Sequence, residues 1–138
     1  MIYNLKSKMK YLGIDYGTKR IGLSIGSSET KIALVFGTVK NTDEVADVVR
    51  GEDIDVVVAG APYSVANVAH ELPEAFTKFI NELRGKLPGG VAVELADERL
   101  SSKYADSLSG NAKAKAGRDE IAAVAILQGY LDKMSAKI

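Results

Sequence analysis

The segment Ile54 to Ala59 is apolar throughout except for Asp55. A strand with apolar side chains at consecutive positions has no face to offer water, so both of its faces must be covered. That is the situation of a parallel strand flanked by helices. An α/β fold is therefore expected, and the surrounding segments agree. Lys10 to Asp15, Arg20 to Gly26 and Ile32 to Val39 read as three strands joined by short connectors, the pattern of an antiparallel meander. Thr42 predicts the N-cap of a short helix whose apolar stripe is Val45, Ala46, Val48 and Val49, ended by Gly51. Glu71 to Leu83 predicts a second helix with Pro73 in its first turn. Val91, Val93 and Leu95 alternate as a further strand. Leu100 to Leu108 reads as a short helix, Ser109 to Gly117 as a loop of small residues, and Arg118 to Met134 as a closing helix. Three strands followed by two helix–strand pairs and then helices predict a mixed sheet covered by helices.

With 138 residues the chain is expected to form one domain over 1–138, with Met1 to Lys8 a flexible extension or an early start. No apolar run approaches the ~20 residues that span a bilayer, and no apolar block follows the N-terminal lysines. The expectation is a cytoplasmic protein without a membrane partner. The absence of cysteine excludes thiolate catalysis and cysteine-bound zinc, and the single histidine, His70, excludes a multi-histidine metal site. Chemistry must rest on carboxylates, hydroxyls and basic groups. Eighteen basic and eighteen acidic side chains cancel, which argues against a general DNA-coating role. Their positions are uneven, however. Lys6, Lys8, Lys10, Lys19 and Arg20 face only Asp15 in the first twenty residues, and Lys103, Lys113, Lys115 and Arg118 face only Asp106 in a later stretch. These runs are either solvated faces or, if the two meet in space, one surface that attracts phosphates.

Four acids stand where packing alone does not explain them. Asp15 closes the first strand, where a buried carboxylate costs several kcal/mol unless paired, hydrogen-bonded or metal-bound. Asp97 and Glu98 follow the strand containing Val91 to Leu95, and Asp119 opens the last helix on the stripe of Ala122, Ala123 and Ile126. Each alone also fits a structural role: a turn aspartate, an ion-pair partner for Arg99, an acid at the positive end of a helix dipole. Together they can gather at one edge of the sheet. Carboxylates without histidine or cysteine suit a hard cation, Mg²⁺ or Mn²⁺. Two such ions clamp the attacking and leaving oxygens of a phosphodiester, which points to a nuclease.

The stretch Gly13-Ile14-Asp15-Tyr16-Gly17-Thr18-Lys19-Arg20-Ile21-Gly22-Leu23-Ser24 resembles the opening of the YqgF/RuvX family of RNase H-like proteins. Asp97-Glu98-Arg99-Leu100-Ser101-Ser102 and Asp119-Glu120-Ile121-Ala122-Ala123 are similar to two further family motifs in the same order, and Gly60-Ala61-Pro62 to a fourth. The resemblance spans Lys10 to Asp132, and family members typically begin near Met9. It implies an RNase H-like, five-stranded mixed sheet of order 3-2-1-4-5, and a nuclease linked to Holliday junction resolution or to processing of precursor small-subunit ribosomal RNA. It places the metal-binding and catalytic set at Asp15, Glu98 and Asp119. Adjacent strand residues point oppositely, so one of Asp97 and Glu98 faces the metals, and Glu98 is preferred. Lys10, Lys19, Arg20, Arg99, Lys113, Lys115 and Arg118 are the expected nucleic-acid contacts around that set. The Asn/Asp-Gly turn common after Pro62 in the family is missing between Tyr63 and His70.

Two other functions fit parts of the chain. Asp15-Tyr16-Gly17-Thr18 also resembles the phosphate loop of actin-like and sugar-kinase ATPases, which need two copies of the fold. A non-catalytic RNA- or ribosome-binding module could keep the same acids. Branched DNA and precursor ribosomal RNA remain alternative substrates, and monomer and homodimer remain alternative states, a resolvase favouring the dimer.

Overall fold

The computed structural model describes residues 8–17, 19–62, 72–97 and 118–136, with 118, 119, 135 and 136 described through their backbone alone. Its strands are β1 (Lys10–Tyr16), β2 (Ile21–Ser27), β3 (Leu34–Val39), β4 (Val56–Ala61) and β5 (Ala92–Asp97). Its helices are α1 (Thr42–Gly51), α2 (Glu74–Arg84) and α3 (Arg118–Ala136). The strands form one sheet in the order β3-β2-β1-β4-β5. β1 is central, antiparallel to β2 and parallel to β4, and β4 is parallel to β5. This is the expected mixed sheet of an RNase H-like fold.

Alternation along β1 divides the core in two. Leu12 and Ile14 point to one face, where Val57 and Ala59 of β4 meet Val45 and Val49 of α1 and Phe76, Phe79, Ile80 and Leu83 of α2. Tyr11 points to the other, with Val56 and Val58, where Ile126, Leu127 and Leu131 of α3 cover it. All six residues of β4 are buried, as its unbroken apolar sequence requires.

Glycines let α3 settle onto the sheet. A Cβ on Gly13 would lie 2.7 Å from Leu127 Cβ and 2.9 Å from the Ala123 carbonyl oxygen, and one on Gly60 would overlap the Ile126 side chain. The Ser24 hydroxyl donates a buried 2.7 Å hydrogen bond to the same Ala123 carbonyl, tying β2 to the helix. Further along α3, the buried Gln128 accepts from Ala33 N at 2.9 Å and donates to Lys31 O at 3.0 Å. Among the described residues no helix is long and apolar enough to cross a membrane.

Two helix starts differ from expectation. Asn41, not Thr42, caps α1, its side chain accepting from Glu44 N at 2.9 Å. Thr42 is the first helical residue and is buried, with its hydroxyl donating to Glu82 of α2. α2 begins at Glu74, with Pro73 at the N-cap in an extended conformation (φ −55°, ψ 141°). Proline disfavours helical backbone in the residue before it, so the helix cannot continue back through Leu72. The expected helix Leu100 to Leu108 lies outside the described residues.

Candidate active site

Asp15 stands one residue before the C-terminal end of β1, half-buried and opposite Gly22 of β2. Two residues back on the same face is Gly13, against Ala123 and Leu127 of α3, and two further back is Tyr11, whose ring lies 5.8 Å from that of Tyr130. Moving along β1 towards Asp15 thus means moving along α3 towards its N-terminus, so strand and helix run antiparallel. Two strand residues cover about 6.6 Å, and four helix residues about 6 Å. The first turn of α3, which carries Asp119, is therefore level with Asp15. Ala123 and Ile126, which share the sequence stripe of Asp119, are both buried against the sheet.

Asp97 ends β5 in register with Ala61 of β4. Ala61 belongs to the core under α1 and α2, whereas Ala96 packs on the α3 side. Asp97 thus shares the face opposite to that of Asp15. Glu98 itself lies outside the described residues.

The basic residues divide. Lys19 and Arg20 are exposed in the turn from β1 to β2, directly after the strand end that carries Asp15. Lys10 is not with them. It starts β1, five residues from Asp15 or about 16 Å along the strand, and its ammonium lies 3.9 Å from Glu52 while its backbone N–H donates to Asp55. The expected role of Lys10 in this surface is corrected: closeness in sequence became opposite ends of a strand. Arg99, Lys113 and Lys115 lie outside the described residues, and Arg118 is placed by its backbone at the start of α3.

The same end of the sheet carries a feature that sequence reasoning missed. On the α1 and α2 side, a cavity of about 250 Å³ is lined by Tyr16, Lys40, Thr42, Lys78, Phe79 and Glu82 among others. The hydrogen bond from Thr42, with help from Lys86, holds the Glu82 carboxyl below its ordinary value of 4.5. Lys86 reaches Asp43 at 3.0 Å and is raised above 10.5, chiefly by its hydrogen bond to that carboxylate. The one sequence signal for the cavity is Tyr16, which must point away from the face of Asp15.

A family model described as the Holliday junction resolvase RuvX matches residues 9–133. The chain belongs to the RuvX family. Among curated relatives, a protein of Chlorobaculum tepidum named "Putative pre-16S rRNA nuclease" is 36% identical, over 94% of this chain and 97% of its own length. One of the same name from Bacillus cereus (strain AH187) is 33% identical, over 91% and 99%. Among solved structures, RuvC of T. thermophilus in complex with a Holliday junction substrate superposes with a TM-score of 0.64, covering 93% of this RuvX-family chain and 96% of that one. At 16% identity that likeness carries the fold alone.

Proposed function

We propose that this RuvX-family protein is a divalent-metal-dependent nuclease that hydrolyses phosphodiesters in precursor small-subunit ribosomal RNA, with Asp15, Glu98 and Asp119 as its metal ligands. The observation that supports the reading is the antiparallel seat of α3 on β1, with Tyr11 against Tyr130 and Gly13 against Ala123 and Leu127, which runs the start of the helix towards the strand end that carries Asp15 and the basic Lys19–Arg20 turn.

The donor set fits hard cations: it is all carboxylate, in a chain without cysteine, and the half-buried position of Asp15 limits its hydration. When bound, Mg²⁺ or Mn²⁺ would supply Lewis-acid polarisation of the phosphodiester and activation of water. The protein's own part is to hold like charges together. Carboxylates brought to one place repel, so without a cation at least one should take up a proton more readily than usual. Lys19 and Arg20 hold the polyanion next to that cluster, and the resulting cut leaves a 5′-phosphate and a 3′-hydroxyl.

Relatives at 33–36% identity over nearly the whole chain favour ribosomal precursor as substrate. The junction-bound structure makes branched DNA the second reading. The test is cleavage of both substrates by wild type and by Asp15→Asn. Loss of more than ~100-fold is expected, beyond what an outer-sphere partner of a metal costs, with binding retained through the basic turn. Wild-type cleavage by Asp15→Asn would end the proposal. Binding without cleavage by the wild type would favour the non-catalytic module.

A further inference from the structure

We propose that the cavity beneath Tyr16 receives one unpaired nucleobase of the substrate, next to the bond cut at Asp15. The inference rests on the nuclease reading above and specifies its substrate: nucleic acid with an unstacked nucleotide at the cleavage point.

Position comes first. Asp15 and Tyr16 are consecutive at the end of the central strand, so the acid serves the α3 face while the phenol ring serves the other. Tyr16 and Gly17 both line the cavity, which is therefore at the same sheet end as Asp15 and the Lys19–Arg20 turn. A backbone held at Asp15 can send an adjacent base around this end.

Size and chemistry then select the occupant. At about 250 Å³ the cavity is below the ~300–1,000 Å³ typical of sites for drug-sized ligands; it suits a single base better than a whole nucleotide. Its wall is the half-buried ring of Tyr16, braced by Phe79 with ring centroids 4.5 Å apart, which offers a stacking surface. Its polar side is Glu82. The hydrogen bonds from Thr42 and Lys86 both reach Oε2, so Oε1 is the remaining acceptor for an amino group such as those of cytosine, adenine or guanine. Lys40 and Lys78 also line the cavity, and neither has a carboxylate partner for its ammonium among the described residues, which suits flanking phosphates. An aromatic wall, an acceptor and two cations match how proteins bind unpaired nucleotides, with bases splayed onto aromatic rings. A fully stacked duplex cannot supply such a base without extruding it.

The test is Ala75→Met. Ala75 is an exposed α2 residue lining the cavity, and methionine there fills space without adding charge or a stacking ring. Binding is measured in metal-free buffer by anisotropy of a short single-stranded RNA and of copies made abasic at each position in turn. Because this readout needs no cleavage, it stands even if the nuclease reading fails. The plug should weaken the intact RNA roughly 5- to 150-fold, the worth of stacking one base. One abasic copy should bind wild type as weakly as the intact RNA binds the plugged protein, and should lose nothing further to the plug. Unchanged affinity for intact RNA, or equal weakening of every abasic copy, would overturn the proposal. Should Ala75→Met melt early, Lys78→Glu gives the second reading: weaker binding and a smaller salt slope are expected, and wild-type values for both refute the site.

Discussion

Gly13→Ala adds one methyl group at the point where β1, β2 and α3 converge. That Cβ would overlap the Ser24 hydroxyl and sit 2.7 Å from Leu127 Cβ and 2.9 Å from the Ala123 carbonyl, against the 3.5–4.0 Å of ordinary contact. The helix must lift by about 1 Å, and overpacking of this kind costs about 1–3 kcal/mol. Lifting also breaks the buried Ser24–Ala123 hydrogen bond, and leaving such a group unpaired adds about 1–3 kcal/mol. The sum, about 2–6 kcal/mol, is a large share of the 5–15 kcal/mol that holds a typical domain together. With a urea slope near 2 kcal/mol per molar, the unfolding midpoint should fall by about 1–3 M. Adding Ser24→Ala should recover only part of this, because the Leu127 and Ala123 contacts remain. Gly51→Ala is the control. It lies in the last turn of α1 with nothing within 4 Å of its Cβ, and should stabilise by about 0.5–1 kcal/mol. Urea denaturation followed by circular dichroism decides the matter. A Gly13→Ala midpoint equal to wild type, or equal damage from the two alanines, would refute the close seat of α3. Cleavage should fall as well, since misplacement by about 1 Å can cost ~10²-fold.

Glu82→Gln should narrow its stability gap to wild type in acid. The folded carboxyl is held below 4.5, first by Thr42 and then by Lys86, so its contribution is complete above that value and is lost as pH falls through the lowered one. Thermal melting of both proteins from neutral pH downward checks this, and a gap that stays constant would contradict it. Salt dependence separates the two ends of β1. Lys19→Ala and Arg20→Ala should each reduce the slope of log affinity against log salt by roughly 0.7–0.9, whereas Lys10→Ala should leave it unchanged, since Lys10 stands beside Glu52 at the far end.

Periodicity made the sheet legible. The unbroken apolar run of β4 required burial on both faces, whereas alternation required only that Asp97 and its neighbour point oppositely, and the preference for Glu98 came with the family resemblance. Strand order came from the family motifs. Contacts between distant segments were not legible. Thr42 has the chemistry of an N-cap, yet its hydroxyl meets Glu82, forty positions along the chain, while Asn41 does the capping. Lys10 and Asp15 look like neighbours in a basic stretch, but a strand of this length separates its ends. The cavity under Tyr16 draws on β1, the approach to α1, and α2, and Lys78 and Glu82 read in sequence as the polar side of an amphipathic helix.

The dependence of the sheet on α3 also orders events during synthesis. Ser24 and the Ala123 carbonyl it bonds are 99 residues apart, so at ~5–20 residues per second about 5–20 s pass between the appearance of one and the other. Until α3 is made, Tyr11, Val58 and the glycine-lined face of the nascent sheet lack the cover it gives them in the folded chain. A growing chain therefore carries an apolar surface in need of shielding but no assembled acidic centre. On the nuclease reading, the strand acid Asp15 emerges early, and the proposed set is complete only once α3, which carries Asp119, has been made.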